Sequence, residues 1–263
     1  MKHLAIGPGV LGYFSLLGVL KKLEDAKKLD SLEEISGSSA GAIVAFMYVA
    51  SRGNFERILD ISLNIPLQKL IKPDLKTLLK NYGLIPYQRI RDVFAGALKK
   101  LIPKKTDITF KELYHHFPIK LHIPAFCVNT SQTVYFSVDT HPDTSVLDAL
   151  YMSIAIPFIF ESLEYKEWRY IDGGFMEVTP CAPFLNKQDV LAVQLVHKSI
   201  REFSDFKSYV HLILSAIMRN RFKYTNIEHI IIDIGDTSVY NFSMTMEEKM
   251  KMYTLGYELT MVS

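Results

Sequence analysis

The sequence predicts an α/β fold built in layers around a mainly parallel sheet. Short apolar runs alternate with longer segments whose apolar residues recur at helical spacing, as in chains that wind strand, helix, strand. The strand runs are apolar on both sides rather than alternating, as in Asp189–Val196, which suits strands covered on both faces. The chain has 263 residues and shows no internal repeat, low-complexity tract or linker. A single domain over residues 1–263 is therefore expected, with its motifs in residues 3–197 and a C-terminal strand and helix within 198–263 completing the fold.

Each element has its own local reason. His3–Ile6 is apolar and ends at Gly7, a buried strand entering a turn. Tyr13–Ala26 places Phe14, Leu17, Leu20 and Leu23 on one helical face. Leu32–Ser36 is a second strand, and Ala42–Ala50 is apolar on all sides, as a fully buried helix is. Gly53 stops that helix and Asn54 caps the next. Residues 55–106 read as helices broken at Pro66, Pro73 and Pro86. Thr109 and Glu112 have capping-box spacing. Leu121–Val128 and Thr133–Val138 read as strands, Thr144–Ile154 as a helix stopped by Pro157, and Arg169–Ile171 as a strand ending at Asp172-Gly173-Gly174. Asp189–Val196 and Ile230–Ile234 are the last strands, and Met246–Leu259 the last helix.

Composition narrows the function. A net charge of +2 does not announce a nucleic-acid partner, and no recognition motif or aromatic ladder supports one. Two cysteines, Cys127 and Cys181, make neither a disulfide framework nor a zinc site. The N-terminus is charged and then apolar, but Pro8 and three glycines interrupt the run and no small-residue cleavage site follows, so it is not read as a signal peptide. No stretch of eighteen uncharged apolar residues predicts a transmembrane helix. A cytoplasmic protein that meets membranes only peripherally is expected.

The chemistry-bearing residues lie at element ends. Gly37-Ser38-Ser39-Ala40-Gly41 places Ser39 at the centre of a Gly-x-Ser-x-Gly turn between a strand and an apolar helix. Such a turn projects a hydroxyl outward, and the helix aims its positive N-terminal end at it. A plain small-residue loop shares the pattern, and Ser38 is read as structural. Gly7-Pro8-Gly9-Val10-Leu11-Gly12 has dinucleotide-loop spacing, but the second strand carries no acid at its end to hold a ribose. Backbone N–H groups of Gly7, Gly9 and Val10, with Gly12 supporting the turn, can instead face an oxyanion generated at Ser39. Asp172, followed by Gly173 and Gly174, is an uncrowded carboxylate at a strand end, or simply a turn aspartate. Of eight histidines, His197 is the best placed for a triad, since it follows a strand.

Taken in order, the glycine loop at 7–12, Gly-x-Ser-x-Gly at 37–41 and Asp-Gly-Gly at 172–174 resemble the patatin-like phospholipase family. Ser153-Ile154-Ala155-Ile156-Pro157-Phe158-Ile159-Phe160 resembles the family's Ser-x-Ala-x-Pro-x-x-Phe block, and the spacing to Pro180 agrees. The resemblance implies a three-layer sandwich and a Ser39–Asp172 dyad without histidine. Ser39 would attack a lipid ester, Asp172 would take its proton, and water would release the acyl-enzyme without metal or cofactor. The chain departs from the family in the loop: where the family has a central glycine and, further on, a basic residue, this sequence has Pro8 and Leu11.

Charge is uneven. Residues 66–105 hold eight lysines and two arginines against two aspartates, a local net of +8. Lys69, Lys72, Lys76 and Lys80 interleave with Leu70, Ile71, Leu75, Leu78 and Leu79, a pattern suited to anionic lipid headgroups and equally to a solvated helix face. Two rival functions remain: a Ser-His-Asp esterase using His197, and a non-catalytic lipid-binding module on the same fold.

Overall fold

Five strands run parallel through the middle of the molecule, and their common direction sets where the site lies. The structure, a computed structural model, describes residues 1–65, 67–196, 209, 212–213, 226–235 and 242–259, of Leu67 and Lys69 the main chain alone. His197, His211 and Pro66 lie outside the described residues.

The elements in chain order are β1 (His3–Ile6), α1 (Tyr13–Asp25), β2 (Glu34–Gly37), α2 (Ala40–Ser51), α3 (Phe55–Leu63), α4 (Leu67–Leu70), α5 (Leu75–Asn81), β3 (Gly83–Ile85), α6 (Tyr87–Leu101), α7 (Phe110–His116), β4 (Lys120–Cys127), β5 (Gln132–Phe136), α8 (Val146–Ile154), β6 (Phe158–Phe160), β7 (Leu163–Tyr165), β8 (Trp168–Asp172), β9 (Val190–Val196), β10 (Glu228–Asp233) and α9 (Met246–Glu258). The main sheet has the order β10-β9-β1-β2-β4-β8-β7. It is parallel from β10 to β4 and antiparallel beyond, and β5 adds to β4. The sequence-predicted α/β class with a mainly parallel sheet is what the chain forms.

Local signals explain most boundaries. Gly53 sits at φ +74°, a left-handed conformation that costs glycine little, just after α2 ends. The Asn54 side chain accepts from the Arg57 N–H at the start of α3, and Thr109 with Glu112 forms a complete capping box on α7. α2 is buried all round save for Ile43, as its composition predicts. Two features escaped the sequence pattern. The three-residue strands β3 and β6 pair as a separate parallel ribbon, and β7 makes a hairpin with β8. Strands this short offer too few residues for a period to show.

The two faces of the sheet are covered differently. Helices α1, α2 and α8 bury one main core with Leu4, Ile6, Ile35 and Ile123. On the other face Cys181 and Phe184 pack on Ala5 and Ala192. At the N-terminal edge of the parallel strands lies a buried ionic group. The Glu34 carboxylate takes a hydrogen bond from the His122 ring at 2.8 Å and another from Lys187, and the His3 ring stands 3.9 Å away. A seam of near backbone contact joins α1 to α9: a Cβ at Gly256 would lie 1.9 Å from the Ser15 carbonyl, and one at Gly18 2.1 Å from the Tyr253 carbonyl.

Candidate active site

The register of the sheet brings a serine and an aspartate from distant parts of the chain to one level. Ser36 on β2 pairs with His122 on β4, and Ser39 follows in the turn just beyond the end of β2. Ala125 pairs with Asp172 on β8, which runs back antiparallel. β8 thus ends where the turn after β2 begins. Gly173 must follow, because a Cβ there would lie 2.1 Å from the Pro124 carbonyl.

The turn itself is strained. Ser39 has φ +53° and ψ −121°, a conformation that costs a non-glycine residue about 1–3 kcal/mol. A Cβ at Gly37 would meet the Gly41 carbonyl at 2.3 Å, and one at Gly41 the Ile6 carbonyl at 2.3 Å, so the turn closes only with glycine at both positions. The Ser39 N–H donates to Ser153 Oγ at 3.0 Å, which pins the turn to the end of α8. Sequence reasoning placed Ser153 in a motif but missed this job; a buried serine at a helix end is the only local signal.

Ser39 Oγ donates to Asp172 Oδ2 at 2.7 Å, and both residues are buried. The Gly174 N–H donates to Asp172 Oδ1 at 2.6 Å, fixing the carboxylate plane. Burial pushes the Asp172 carboxyl up to about 7, against the lowering effect of these two hydrogen bonds. The group can therefore both take and return a proton near neutral pH. No histidine bonds to Ser39 or Asp172 among the described residues.

The glycine loop lies beside Ser39, and its first donor is spent. The Gly7 N–H donates to the Val193 carbonyl at 2.8 Å inside the sheet, which corrects the expectation that it faces an oxyanion. The Gly9 and Val10 N–H groups have no backbone partner among the described residues. Val10 sits at φ +47°, an outlier for a β-branched residue, and so presents its amide differently from an ordinary turn. Pro8 has a packing role: a Cβ at Gly174 would lie 2.9 Å from the Pro8 ring, so the loop rests directly on the Asp172 turn. Gly12 is crowded by Leu195, where a Cβ would meet the side chain at 2.6 Å.

A cavity of about 150 Å³ opens beside Ser39, walled by residues such as Val10, Phe14, Phe46, Phe94 and Ile156. Besides Ser39, its polar lining is Tyr13 and Ser62, whose hydroxyls bond to each other at 2.6 Å. Their polarity is thus satisfied within the wall, and Ser39 is the remaining polar residue lining an apolar space. Among the described residues no cluster of His, Cys, Asp and Glu has the arrangement to hold a metal ion.

Comparison with known proteins gives the family. The model for the patatin-like phospholipase family matches residues 4–185. The chain belongs to the patatin-like phospholipase family. It is 27% identical to a probable lipid hydrolase of Invertebrate iridescent virus 6, over 98% of this chain and 87% of that protein. It is 28% identical to an omega-hydroxyceramide transacylase of Mus musculus, over 67% of this chain and 27% of that one. VipD of Legionella pneumophila superposes with a TM-score of 0.64 at 19% identity, covering 98% of this chain and 65% of VipD. The type III effector ExoU superposes with a TM-score of 0.57 at 18% identity, covering 98% and 51%. These likenesses show the patatin-like fold, a layered sandwich, in this family member.

Proposed function

We propose that this patatin-like protein is a lipid acyl hydrolase working through a Ser39–Asp172 dyad. The carrying observation is the 2.7 Å bond from Ser39 Oγ, which lines an apolar cavity, to the buried Asp172 carboxylate. Asp172 takes the hydroxyl proton as Ser39 attacks an ester carbonyl. The developing oxyanion meets the Gly9 and Val10 N–H groups and the positive end of α2. Asp172 returns the proton to the leaving alcohol, and an acyl-enzyme remains on Ser39 with its chain in the cavity. Asp172 then takes a proton from water as it attacks the acyl-enzyme, and returns that proton to Ser39 Oγ as the fatty acid leaves. The substrate class is an acyl ester of a lipid, phospholipid or lysophospholipid, and the mechanism uses no metal or cofactor. The viral relative's name, a probable lipid hydrolase, supports the class.

The transacylase relatives support one extension. An acyl-enzyme can pass its chain to an alcohol instead of water, so the acceptor decides between hydrolysis and transfer. The test is a lipid panel assayed with wild type and Ser39→Ala, with and without a long-chain alcohol, alongside fluorophosphonate labelling. Covalent labelling of wild type alone and loss of all hydrolysis in Ser39→Ala are expected. Hydrolysis near wild type in Ser39→Ala rejects the assignment. Failure to label wild type favours the non-catalytic lipid-binding module. The triad rival rests on His197, outside the described residues, and predicts that His197→Ala loses several orders of magnitude in rate.

A further inference from the structure

Four of the five large apolar side chains more than 55% exposed among the described residues gather on two adjoining segments. Leu75 (69%), Leu79 (85%) and Tyr82 (57%) lie on α5 and its end, and Phe158 (56%) on β6. Gly83, next to Tyr82, pairs directly with Phe158 in the β3–β6 ribbon. No residue of α5 is fully buried: Leu78 is half-buried, while Leu75 and Leu79 stand in the open. A seven-residue helix does not persist by propensity alone. It is held by its ends: the Asp74 side chain accepts from the Lys76 and Thr77 N–H groups, and the Asp74 N–H donates to the Leu84 carbonyl at 2.7 Å.

The ribbon holds its exposed rings deliberately. Tyr82 and Phe158 sit at φ +65° and +67°, conformations that bulky residues adopt only when the surroundings impose them. Asn81 donates to Glu161 at 2.6 Å and braces the two strands. The patch is continuous with the cavity wall, because Leu70 and Ile71 precede α5 and Ile156 and Phe160 flank Phe158. Around it Lys72, Lys76 and Lys80 are exposed and form no ion pair among the described residues.

We infer that α5 and the β3–β6 ribbon form an interfacial anchor for an anionic lipid surface. Leu75, Leu79, Tyr82 and Phe158 enter the acyl region, while Lys72, Lys76 and Lys80 meet the headgroups. The unpaired lysines beside exposed leucines specify this occupant, since a neutral or cationic partner would leave them unmatched. The cavity mouth then faces the membrane, and an acyl chain moves along apolar wall from bilayer to Ser39. This inference rests on the acyl hydrolase reading only in that last step.

Sedimentation with vesicles of phosphatidylcholine and phosphatidylserine tests it, using the full chain. Wild type is expected to bind these vesicles, to bind phosphatidylcholine alone weakly, and to release with added salt, which screens charges beyond about 8 Å. Leu75→Ser with Leu79→Ser should lower binding and vesicle hydrolysis by about tenfold or more. Replacing Lys72, Lys76 and Lys80 by Glu should act similarly. Hydrolysis of a soluble short-chain ester should stay within about twofold in both variants. Equal binding to vesicles with and without phosphatidylserine overturns the inference, as does unchanged binding in both variants. A fluorophore on Leu79→Cys, specific because Cys127 and Cys181 are buried, reports insertion directly. An emission that stays water-like on vesicles also overturns it. Binding is scored equally well on Ser39→Ala protein, so loss of the hydrolase reading and loss of the anchor are separate results.

Discussion

A buried carboxylate leaves its mark on stability. The folded Asp172 carboxyl sits near 7 because of burial, while an unfolded aspartate titrates near 4. Between those values the folded chain holds a proton that the unfolded chain has lost, so stability falls as pH rises from about 4 to about 7. Asp172→Asn cannot ionise there. It should unfold at higher denaturant than wild type at pH 8, by about 2–4 kcal/mol, with the gap closing at pH 4. Its esterase rate should fall nearly as far as that of Ser39→Ala, since an amide takes no proton. For the wild type, kcat/KM should rise with pH through about 7 as the base ionises; a profile flat from pH 5 to 9 would contradict the role given to Asp172. Pro8 sharpens the same point. Removing one oxyanion donor costs about 10²–10³ in turnover, so a proline in a donor position would leave much to regain. Here the Pro8 ring packs on Gly174, and the Gly9 and Val10 N–H groups have no backbone partner among the described residues. Pro8→Gly should therefore bring no tenfold gain in single-turnover acylation and should lose roughly 0.4–1 kcal/mol or more of stability.

Elements were legible to the extent that they repeat a period. The all-apolar composition of α2 and the capping residues of α3 and α7 gave those helices from local rules, and the strands of the parallel sheet stood out as apolar runs. The order of three motifs marked Ser39 and Asp172, though their 2.7 Å contact depends on a register that no local pattern encodes. The β3–β6 ribbon stayed hidden because three residues cannot show alternation, and the Ser153 contact because a serine at a helix end usually caps rather than accepts from a distant turn. Glu34 was also invisible as a structural anchor, since it sits in a run read simply as strand. Burial raises a carboxyl, yet hydrogen bonds from His122 and Lys187 outweigh it and hold Glu34 at about 2. Its contribution is present above the unfolded value near 4.5 and is lost as pH falls toward 2. Glu34→Gln removes the charge to which His122 and Lys187 bond at the foot of β1, β2 and β4, so it should cost on the order of 1–3 kcal/mol at pH 7 and much less near pH 2, read by denaturant unfolding.

The whole molecule is closed by a contact between parts far apart in sequence. Ser15 Oγ donates to the Met252 carbonyl at 2.8 Å across 237 positions, in the seam where Gly256 meets Ser15 main chain. Gly256→Ala has no room, and the helices must separate. A loss of about 1–3 kcal/mol in thermal or denaturant unfolding is expected, with an unchanged midpoint counting against the seam's importance. Nearby, Lys249 is buried on α9, donates to the Leu63 carbonyl at 2.9 Å and lies over the Phe14 ring. Phe14 lines the cavity and follows directly on the loop that carries Gly9 and Val10. Ordering so long an intervening chain is costly, and contacts of this separation form late. In the language of amide exchange, α9 and the first turns of α1 should behave as one cooperative unit, opening together below the global unfolding free energy. Each such opening would loosen the base of the glycine loop without touching Ser39 or Asp172. The fraction of molecules competent to hold an oxyanion would then be set, moment to moment, by a helix that contributes no atom to the chemistry.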